Sequence, residues 1–187
     1  NVLNNLVALG CRVEVVSVLG EDGDGLLLRG LLADQGIAVE GIFTALHRVT
    51  SRKTRVLASN QQMLRIDRES REPIGEALAR RLIEHVREVA DRFQVILVSD
   101  YLKGVLTESL LRAVIALGRE KGIPVVIDPK GDDYAKYRGA TLLTPNRKEA
   151  QKASGVAIVD EASLLVAGRS LREKLDLDAL VLTRSEE

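Results

Sequence analysis

The feature that most restricts the fold of this 187-residue chain is an alternation of apolar runs and helical patterns between residues 94 and 183. Short, unbroken apolar runs of this kind are typical of strands that are buried on both faces of a parallel sheet. The alternation therefore predicts an α/β fold with a mainly parallel sheet and helices on both of its faces. The predicted strands lie at residues 94–98, 124–127, 141–144 and 179–182.

The helices between these strands have recognisable ends. Thr107 can cap a helix that runs to residue 121 and stops at Gly122, a residue suited to a left-handed cap. Further helices are predicted from the spacing of apolar residues. They cover the first residues up to Gly10, residues 26–35 ending at Gly36, residues 74–93 and residues 161–175, and a strand is predicted over residues 12–19.

One segment interrupts the alternation. Residues 53–58 and 62–67 have the character of two strands joined by a turn at Ser59 and Asn60, which predicts an antiparallel hairpin. Most clusters of basic residues on such a hairpin simply form a solvent-exposed face. Alternatively, the arginines can bind a phosphate through bidentate hydrogen bonds. The group in question consists of Lys53, Arg55, Arg65 and Arg68.

Composition excludes several classes of function. Lys and Arg number 27, as do Asp and Glu, so the net charge is zero and a nucleic-acid or anionic-membrane partner is not expected. Cys11 is the single cysteine, which excludes an internal disulfide or a multi-cysteine zinc site and fits a cytoplasmic protein. No apolar run approaches the 18 residues of a membrane-spanning helix.

Polar and charged residues follow each of the four predicted parallel strands. Ligands of open α/β sheets bind beyond the carboxyl ends of the strands, so these residues are expected to meet at one edge. A set of this kind suits an anionic substrate accompanied by a metal ion. The sets are residues 99–104, 128–131, 144–149 and 183–186.

Each of these sets also has a simpler explanation when it is taken alone. Residues 128–131, with the sequence Asp-Pro-Lys-Gly, can form an ordinary turn. Asn146 and Glu149 can form the capping box of the next helix. Ser99 and Asp100 can begin a turn or helix. The functional interpretation depends on the four sets together.

Five sequence runs resemble the kinase domain of bacterial heptose-7-phosphate kinases, which belong to the ribokinase-like carbohydrate kinases. The resemblance covers essentially the whole chain and implies a three-layer α/β/α ribokinase-like fold with a small β-hairpin lid at about residues 40–68. Residues 1–187 would then form a single, partial kinase domain that is truncated at both ends. The runs are NQQMLRID (60–67), SDYLKGVL (99–106), VIDPKG (126–131), ATLLTPNRKE (140–149) and LVLTRSE (180–186).

The resemblance implies a sugar kinase that uses ATP and Mg²⁺. Its substrate would be D-glycero-D-manno-heptose 7-phosphate, phosphorylated at the anomeric hydroxyl on the route to ADP-heptose and lipopolysaccharide. It also allows a homodimer that pairs through the lid. Two alternatives stay open: another ribokinase-like kinase acting on a pentose or a fructose phosphate, and a non-catalytic module that binds sugar or nucleotide.

The resemblance also assigns roles to individual residues. Glu149 would organise the water molecules of the metal ion. Lys130, Asn146, Thr183 and Ser185 would contact the nucleotide. The sugar and its phosphate would be bound by Asn1, Lys53, Arg55, Gln61, Gln62, Arg65, Asp100 and Lys103.

Three departures from the family pattern affect these expectations. Leu102 stands where a small residue is usual, and Val49 stands where proline is common. The Gly-Ala-Gly-Asp element of the family, whose aspartate is the catalytic base, would lie downstream of Glu187. No catalytic residue is therefore expected within residues 1–187, and the isolated chain is expected to turn over negligibly.

Overall fold

The computed structural model of the chain describes residues 2–59 and 61–184. The chain divides into two compact units. Unit one consists of Asn1–Leu82 and Lys103–Val105, and unit two consists of Ile83–Leu102 and Leu106–Glu187.

Unit one begins with two helices and two strands that surround a small apolar core. Its two parallel strands pair from Ser17 with Ile42 to Gly20 with Ala45. The core contains Val13, Leu32, Ile37 and Ile42. Burial of each of these large apolar side chains stabilises the folded state by roughly 1.5–3 kcal/mol. The elements are α1 (Val2–Ala8), β1 (Ser17–Gly20), α2 (Gly23–Asp34) and β2 (Ile42–Ala45).

The ends of α2 follow from local chemistry. The side chain of Asp22 accepts a hydrogen bond from the Gly25 amide at 2.8 Å and so caps the first turn. Gly36 adopts a φ of +73° after the last turn, as its sequence position predicts. The predicted strand over residues 12–19 is shorter than expected: before Ser17 it contributes only an isolated bridge between Glu14 and Ala38.

The predicted hairpin is confirmed. Strand β3 (Arg52–Ala58) pairs with β4 (Gln61–Arg68) in antiparallel register, with an irregularity between Val56 and Leu57. The turn residue Asn60 lies outside the described residues.

Unit two contains the predicted parallel sheet. Four strands lie in the order β5-β6-β7-β8, and every neighbouring pair is parallel. Helix α3 (Glu76–Val89) begins in unit one and ends in unit two, where a 3₁₀ turn (Ala90–Arg92) follows it. The remaining elements are β5 (Ile96–Ser99), α4 (Glu108–Lys121), β6 (Val125–Asp128), a second 3₁₀ turn (Ala135–Tyr137), β7 (Leu142–Leu143), α5 (Arg147–Ser154), α6 (Glu161–Lys174) and β8 (Ala179–Leu180).

The alternation of strand and helix predicted from the sequence is thus confirmed, with shorter strands. Thr107 caps α4 by accepting a hydrogen bond from the Leu110 amide at 3.2 Å, and Gly122 ends the helix at a φ of +67°. The core of unit two includes Leu117, Ile127 and Leu143, each at most 1% exposed. No helix among residues 2–59 and 61–184 is long and apolar enough to cross a membrane.

Gly118 in α4 is required by close packing. A Cβ atom there would overlap the side chain of Val125 and lie 2.8 Å from the Ile123 carbonyl oxygen. In contrast, a Cβ at Gly30 in α2 would point into open space.

We therefore expect Gly118→Ala to lower the free energy of unfolding by about 1–3 kcal/mol, because the added methyl overpacks the interface between helix and sheet. Gly30→Ala, the matched control, is expected to raise it by about 0.4–1 kcal/mol, since alanine restricts the unfolded chain. Urea denaturation followed by circular dichroism measures both changes. A stabilising Gly118→Ala would contradict this packing.

Candidate functional site

A cleft of about 280 Å³ lies in unit two where the four parallel strands end. Asp100 follows β5, Asp128 ends β6, and Thr144 follows β7. This is the arrangement that the strand-end residues predict, since the carboxyl ends of parallel strands meet at one edge. The lining includes Asp100, Lys130, Asn146, Glu149 and Thr183, which all come from the predicted set.

Asp100 is a buried carboxylate with three hydrogen-bond donors. Its Oδ1 accepts from the Leu102 amide at 2.8 Å, and its Oδ2 accepts from the Tyr137 hydroxyl at 2.6 Å and from Lys136 Nζ at 2.7 Å. Only 3% of its side chain is exposed. A buried charge needs such partners because it has lost its hydration, so these three donors fix the position of the Asp100 carboxylate.

Leu102 follows Asp100 in a left-handed conformation with a φ of +52°. A branched residue in this region costs about 1–2 kcal/mol relative to glycine, which explains why the related kinases usually have a small residue there. The hydrogen bond from its amide to Asp100 helps to hold the conformation. The departure at Leu102 is therefore compatible with the same loop shape.

The second departure, Val49, has a different explanation. Its amide donates a hydrogen bond to the Ser70 hydroxyl at 3.0 Å within unit one. Proline lacks an amide hydrogen and could not make this bond. The valine thus adds a contact that the more common residue excludes.

Lys130 and Glu149 form an ion pair in the cleft. Lys130 Nζ lies 2.7 Å from Glu149 Oε1, and this contact raises the pKa of the Lys130 ammonium. The other carboxylate oxygen of Glu149 accepts from the Asn146 amide at 3.0 Å, and Asn146 Oδ1 accepts from the Glu149 amide at 3.0 Å. The capping box predicted for Asn146 and Glu149 is present, and the same two residues line the cleft.

Thr183 is held beside the beginning of α5. Its amide donates to the Pro145 carbonyl at 3.1 Å, and its carbonyl accepts from the Arg147 amide at 3.1 Å. The positive end of the α5 dipole therefore lies beside Thr183, next to Lys130 and Asn146 in the lining. Helix amino termini of this kind favour anions.

Asp128 shares the cleft with Glu149. Burial raises the pKa of the Asp128 carboxyl, and the negative charge of Glu149 raises it further. Two carboxylates that repel each other beside hydroxyl and amide oxygens are a donor set that suits Mg²⁺ rather than a softer metal. Within residues 2–59 and 61–184, no three or more His, Cys, Asp and Glu side chains cluster to hold a metal ion. The residues thus fit a Mg²⁺ ion that keeps most of its water ligands.

The predicted lid residues lie on the hairpin of unit one. Arg55 lies directly opposite Arg65, and Lys53 lies opposite Asp67, which also pairs with Arg65 at 3.1 Å. Like charges directly opposite each other destabilise a hairpin, so an anion bound between Arg55 and Arg65 would relieve this repulsion. All five predicted side chains are exposed: Lys53, Arg55, Gln61, Gln62 and Arg65.

Lys103 does not line the cleft of unit two. Lys103 belongs to unit one, where its ammonium pairs with Glu69. This contact and the hydrogen bond from Arg71 lower the pKa of the Glu69 carboxyl. Asn1 and Ser185 lie outside the described residues.

Six residues at or beside the cleft were not among the predicted site residues: Tyr101, Asp128, Pro129, Thr144, Lys136 and Tyr137. Asp128 lines it, while Lys136 and Tyr137 bind Asp100. A signal for Asp128 exists, since it directly follows the predicted strand at residues 124–127 and begins one of the four polar sets. No spacing pattern points to Lys136 or Tyr137, because they reach Asp100 from 36 and 37 residues along the chain.

Comparison with known proteins assigns this chain to a family. The family model described as pfkB family carbohydrate kinase matches residues 1–187. The bifunctional protein HldE of Syntrophotalea carbinolica is 65% identical over all 187 residues, and that of Helicobacter hepaticus is 43% identical. The chain spans 38% and 39% of the length of these two relatives.

Solved structures share the fold. Escherichia coli phosphofructokinase-2 in complex with potassium superposes with a TM-score of 0.75 at 19% identity, covering all of this chain and 63% of that one. Arabidopsis thaliana ribokinase complexed with ribose and ATP gives a TM-score of 0.71 at 20% identity, covering 95% of this chain and 56% of that one. The predicted ribokinase-like α/β fold is confirmed.

The raised pKa of Asp128 predicts a pH-dependent gain from Asp128→Asn. In the unfolded chain this carboxyl ionises near pH 4, whereas in the folded chain it holds its proton to higher pH. The wild type therefore loses stability as pH rises through the folded pKa, and the neutral amide avoids this loss.

We expect Asp128→Asn to raise the thermal midpoint at pH 7, with the difference disappearing below about pH 4. Calorimetric melting at several pH values measures the effect. Asp178→Asn, at an exposed residue outside the cleft, is the control and should change little at either pH. A lower midpoint for Asp128→Asn at pH 7 would contradict the repulsion from Glu149.

Proposed function

Since the chain belongs to the pfkB family of carbohydrate kinases, we propose that it forms the kinase part of a longer protein and phosphorylates a sugar phosphate with ATP. We propose D-glycero-D-manno-heptose 7-phosphate as the substrate, phosphorylated at its anomeric hydroxyl for the synthesis of ADP-heptose and lipopolysaccharide. The observation that carries the proposal is the cleft, where a lysine, a helix amino terminus and two carboxylates converge. Identities of 43–65% to proteins named bifunctional protein HldE support it.

The nucleotide is assigned to the cleft of unit two. Lys130 and the amino terminus of α5 at Asn146 supply positive charge for the phosphates of ATP, and Thr183 supplies a hydroxyl beside them. Ser185 is assigned to the nucleotide by the resemblance alone. The ion pair between Lys130 and Glu149 supports this role, because a phosphate group can replace the carboxylate as the partner of the lysine.

The metal ion is assigned to the carboxylates of the cleft. Glu149, through water, and Asp128 would hold a Mg²⁺ ion that arrives with ATP. When bound, Mg²⁺ neutralises charge on the phosphates and orients them. The residues of the chain hold the nucleotide in place and keep the two carboxylates near its phosphates.

The sugar phosphate is assigned to the hairpin. Arg55 and Arg65 form the phosphate clamp with Lys53, since their cross-strand repulsion is relieved by an anion. Gln61 and Gln62 would bind sugar hydroxyls from the same exposed strand. Asn1, Asp100 and Lys103 complete the proposed sugar-binding set.

Transfer forms a bond between the anomeric oxygen and the γ-phosphorus and breaks the bond from that phosphorus to ADP. The hydroxyl proton goes to a general base, which we propose to be an aspartate beyond Glu187. The relatives, of which this chain spans 38–39%, leave room for that element. We further propose that the protein acts in the cytoplasm, where ATP is available.

The substrate proposal is tested with the full-length gene product, ATP and a panel of sugars. We expect heptose 7-phosphate to be phosphorylated at least tenfold better than unphosphorylated heptose, ribose or fructose 6-phosphate. The variants Arg55→Ala and Arg65→Ala should each raise the KM for the sugar phosphate about tenfold, because each removes one charged hydrogen-bond donor. The KM for ATP should stay unchanged.

Arg112→Ala, at an exposed arginine of α4 that pairs with Glu108, is the matched control and should leave both KM values unchanged. Equal turnover of phosphorylated and unphosphorylated heptose would contradict the phosphate clamp. Preference for a pentose or fructose phosphate would favour the alternative kinase. Binding of ATP and sugar without turnover of any sugar would favour the non-catalytic module.

We also propose that the protein forms a homodimer through the other face of the hairpin. Val56, Leu64 and Ile66 lie on this face, and each is 44–53% exposed. An apolar face this open is typical of an interaction site. Pairing between two copies would bury it.

We expect the full-length protein to be a dimer and Leu64→Glu to shift it to a monomer, because the interface would bury an unpaired charge. Analytical ultracentrifugation at micromolar concentration measures the mass. Val159→Glu, at an apolar residue that is 77% exposed in unit two, is the control and should stay dimeric. A dimeric Leu64→Glu protein would contradict an interface on this face.

A further inference from the structure

Two loops that line the cleft are joined through one buried side chain. Tyr137 is fully buried and is not among the residues that line the cleft. Its hydroxyl lies 2.6 Å from Asp100 Oδ2 in the loop after β5 and 3.0 Å from the Lys130 amide in the loop after β6. Tyr137 therefore contacts both loops without reaching the space that a ligand would occupy.

The direction of these hydrogen bonds is determined by chemistry. A backbone amide can only donate, so the Tyr137 hydroxyl accepts from the Lys130 amide, and its own proton is available to Asp100 Oδ2 at 2.6 Å, with the Lys130 carbonyl oxygen at 3.1 Å as a second, longer acceptor. Burial, followed by the hydrogen bond to Asp100, raises the pKa of the Tyr137 hydroxyl. The hydroxyl thus keeps the proton that its hydrogen bond to Asp100 requires.

Lys136 completes the bridge. Its ammonium lies 2.7 Å from the same Asp100 oxygen and 4.8 Å from the centre of the Tyr137 ring. Its side chain is 14% exposed, so this pair is poorly screened by solvent. Lys136 thus neutralises the Asp100 charge and also contacts the ring that carries the bridging hydroxyl.

The loops also touch directly. Gly131, with a φ of +89°, lies against the side chain of Leu102, and a Cβ at Gly131 would come 3.1 Å from that leucine. The two loops are thus connected by a polar bridge and by an apolar contact. Of these, only the polar bridge binds the Lys130 backbone.

We propose that Tyr137, together with Lys136, positions Lys130 for the nucleotide by fixing the Lys130 backbone to Asp100. Tyr137 and Lys136 are positioning residues, since neither lines the cleft. The inference rests on the proposed function, because it takes ATP to be the ligand of the cleft. It goes further by giving a role to two residues that would not contact the nucleotide themselves. Loss of the bridge is expected to weaken ATP binding selectively, because the Lys130 backbone would lose the side-chain hydrogen bond that holds it.

Tyr134 provides a matched control. It lies on the same segment, and its ring meets that of Tyr137 edge-to-face at 5.5 Å. Its hydroxyl is buried and has no hydrogen-bond partner among the residues that the structure describes. Tyr134→Phe therefore removes a hydroxyl from the same aromatic pair without removing a bridge.

The test compares Tyr137→Phe with Tyr134→Phe in the full-length gene product. Steady-state kinetics with heptose 7-phosphate and isothermal titration with Mg·ATP give the two readouts. We expect Tyr137→Phe to raise the KM and Kd for ATP about 10- to 100-fold, as for loss of a hydrogen bond to a charged group, with a much smaller rise of the KM for the sugar phosphate, because Asp100 keeps its contacts with the Leu102 amide and Lys136. Tyr134→Phe should match the wild type in all three values.

A purely structural role for Tyr137 predicts a different result. Tyr137→Phe would then lower the thermal midpoint while keeping the KM and Kd for ATP of the wild type, and this outcome overturns the proposal. An equal rise of the KM for both substrates also overturns it, since the effect would not be specific to Lys130.

A second variant serves if Tyr137→Phe does not fold. Lys136→Met keeps the apolar stem but removes the charge beside Asp100, and it should show the same ATP-specific defect. Lys152→Met, at an exposed lysine that pairs with Asp132, is its control and should behave like the wild type. A folded Lys136→Met protein with normal ATP parameters overturns the proposal.

The titration separates this inference from the proposed function. If the wild type binds ATP but phosphorylates no sugar, the proposed function fails, and the ratio of Kd between Tyr137→Phe and Tyr134→Phe still decides the inference. If the wild type is an active kinase and the two variants behave alike, only the inference fails. If the wild type binds no ATP, both fail.

Discussion

The parallel register of β5 to β8 is the constraint on which the cleft depends. Ile96 pairs with Val125, and Val126 in turn pairs with Leu142, so each strand ends at the same edge as its neighbour. The loops that follow must therefore meet, although up to 83 residues separate Asp100 from Thr183. Because fully buried side chains such as Ile127 and Leu143 anchor the sheet, the polar residues at its edge can be positioned with little freedom.

Charge balance within the cleft explains how it can hold an anion and a cation together. Asp100 is neutralised by Lys136 and held by Tyr137, whereas Lys130 faces Glu149. The first pair is buried and structural, and the second is open to the cleft and can exchange its partner. A phosphate with its metal ion can replace the contact between Lys130 and Glu149 without uncovering a buried charge.

Two residues of the cleft have a structural role as well as their proposed functional one, so the capping-box and the ligand-binding interpretations of the sequence are compatible. Asn146 and Glu149 form a capping box and line the cleft. The carboxylate of Glu149 satisfies an amide with one oxygen and contacts Lys130 with the other. A capping box at a strand-to-helix junction places a carboxylate beside the positive end of a helix, where phosphate and metal chemistry can use it.

The sequence alone determined the strand and helix order, the hairpin, the caps at Thr107 and Asn146, and the meeting of four strand-end loops, because local periodicity and the direction of parallel strands specify these features. Tertiary structure alone decided that Lys136 and Tyr137 contact Asp100, that Lys103 pairs with Glu69, and that Asp128 shares its cleft with Glu149. Side-chain contacts between distant segments leave no periodic signal, since they depend on where a 3₁₀ turn or loop comes to rest after the sheet has formed.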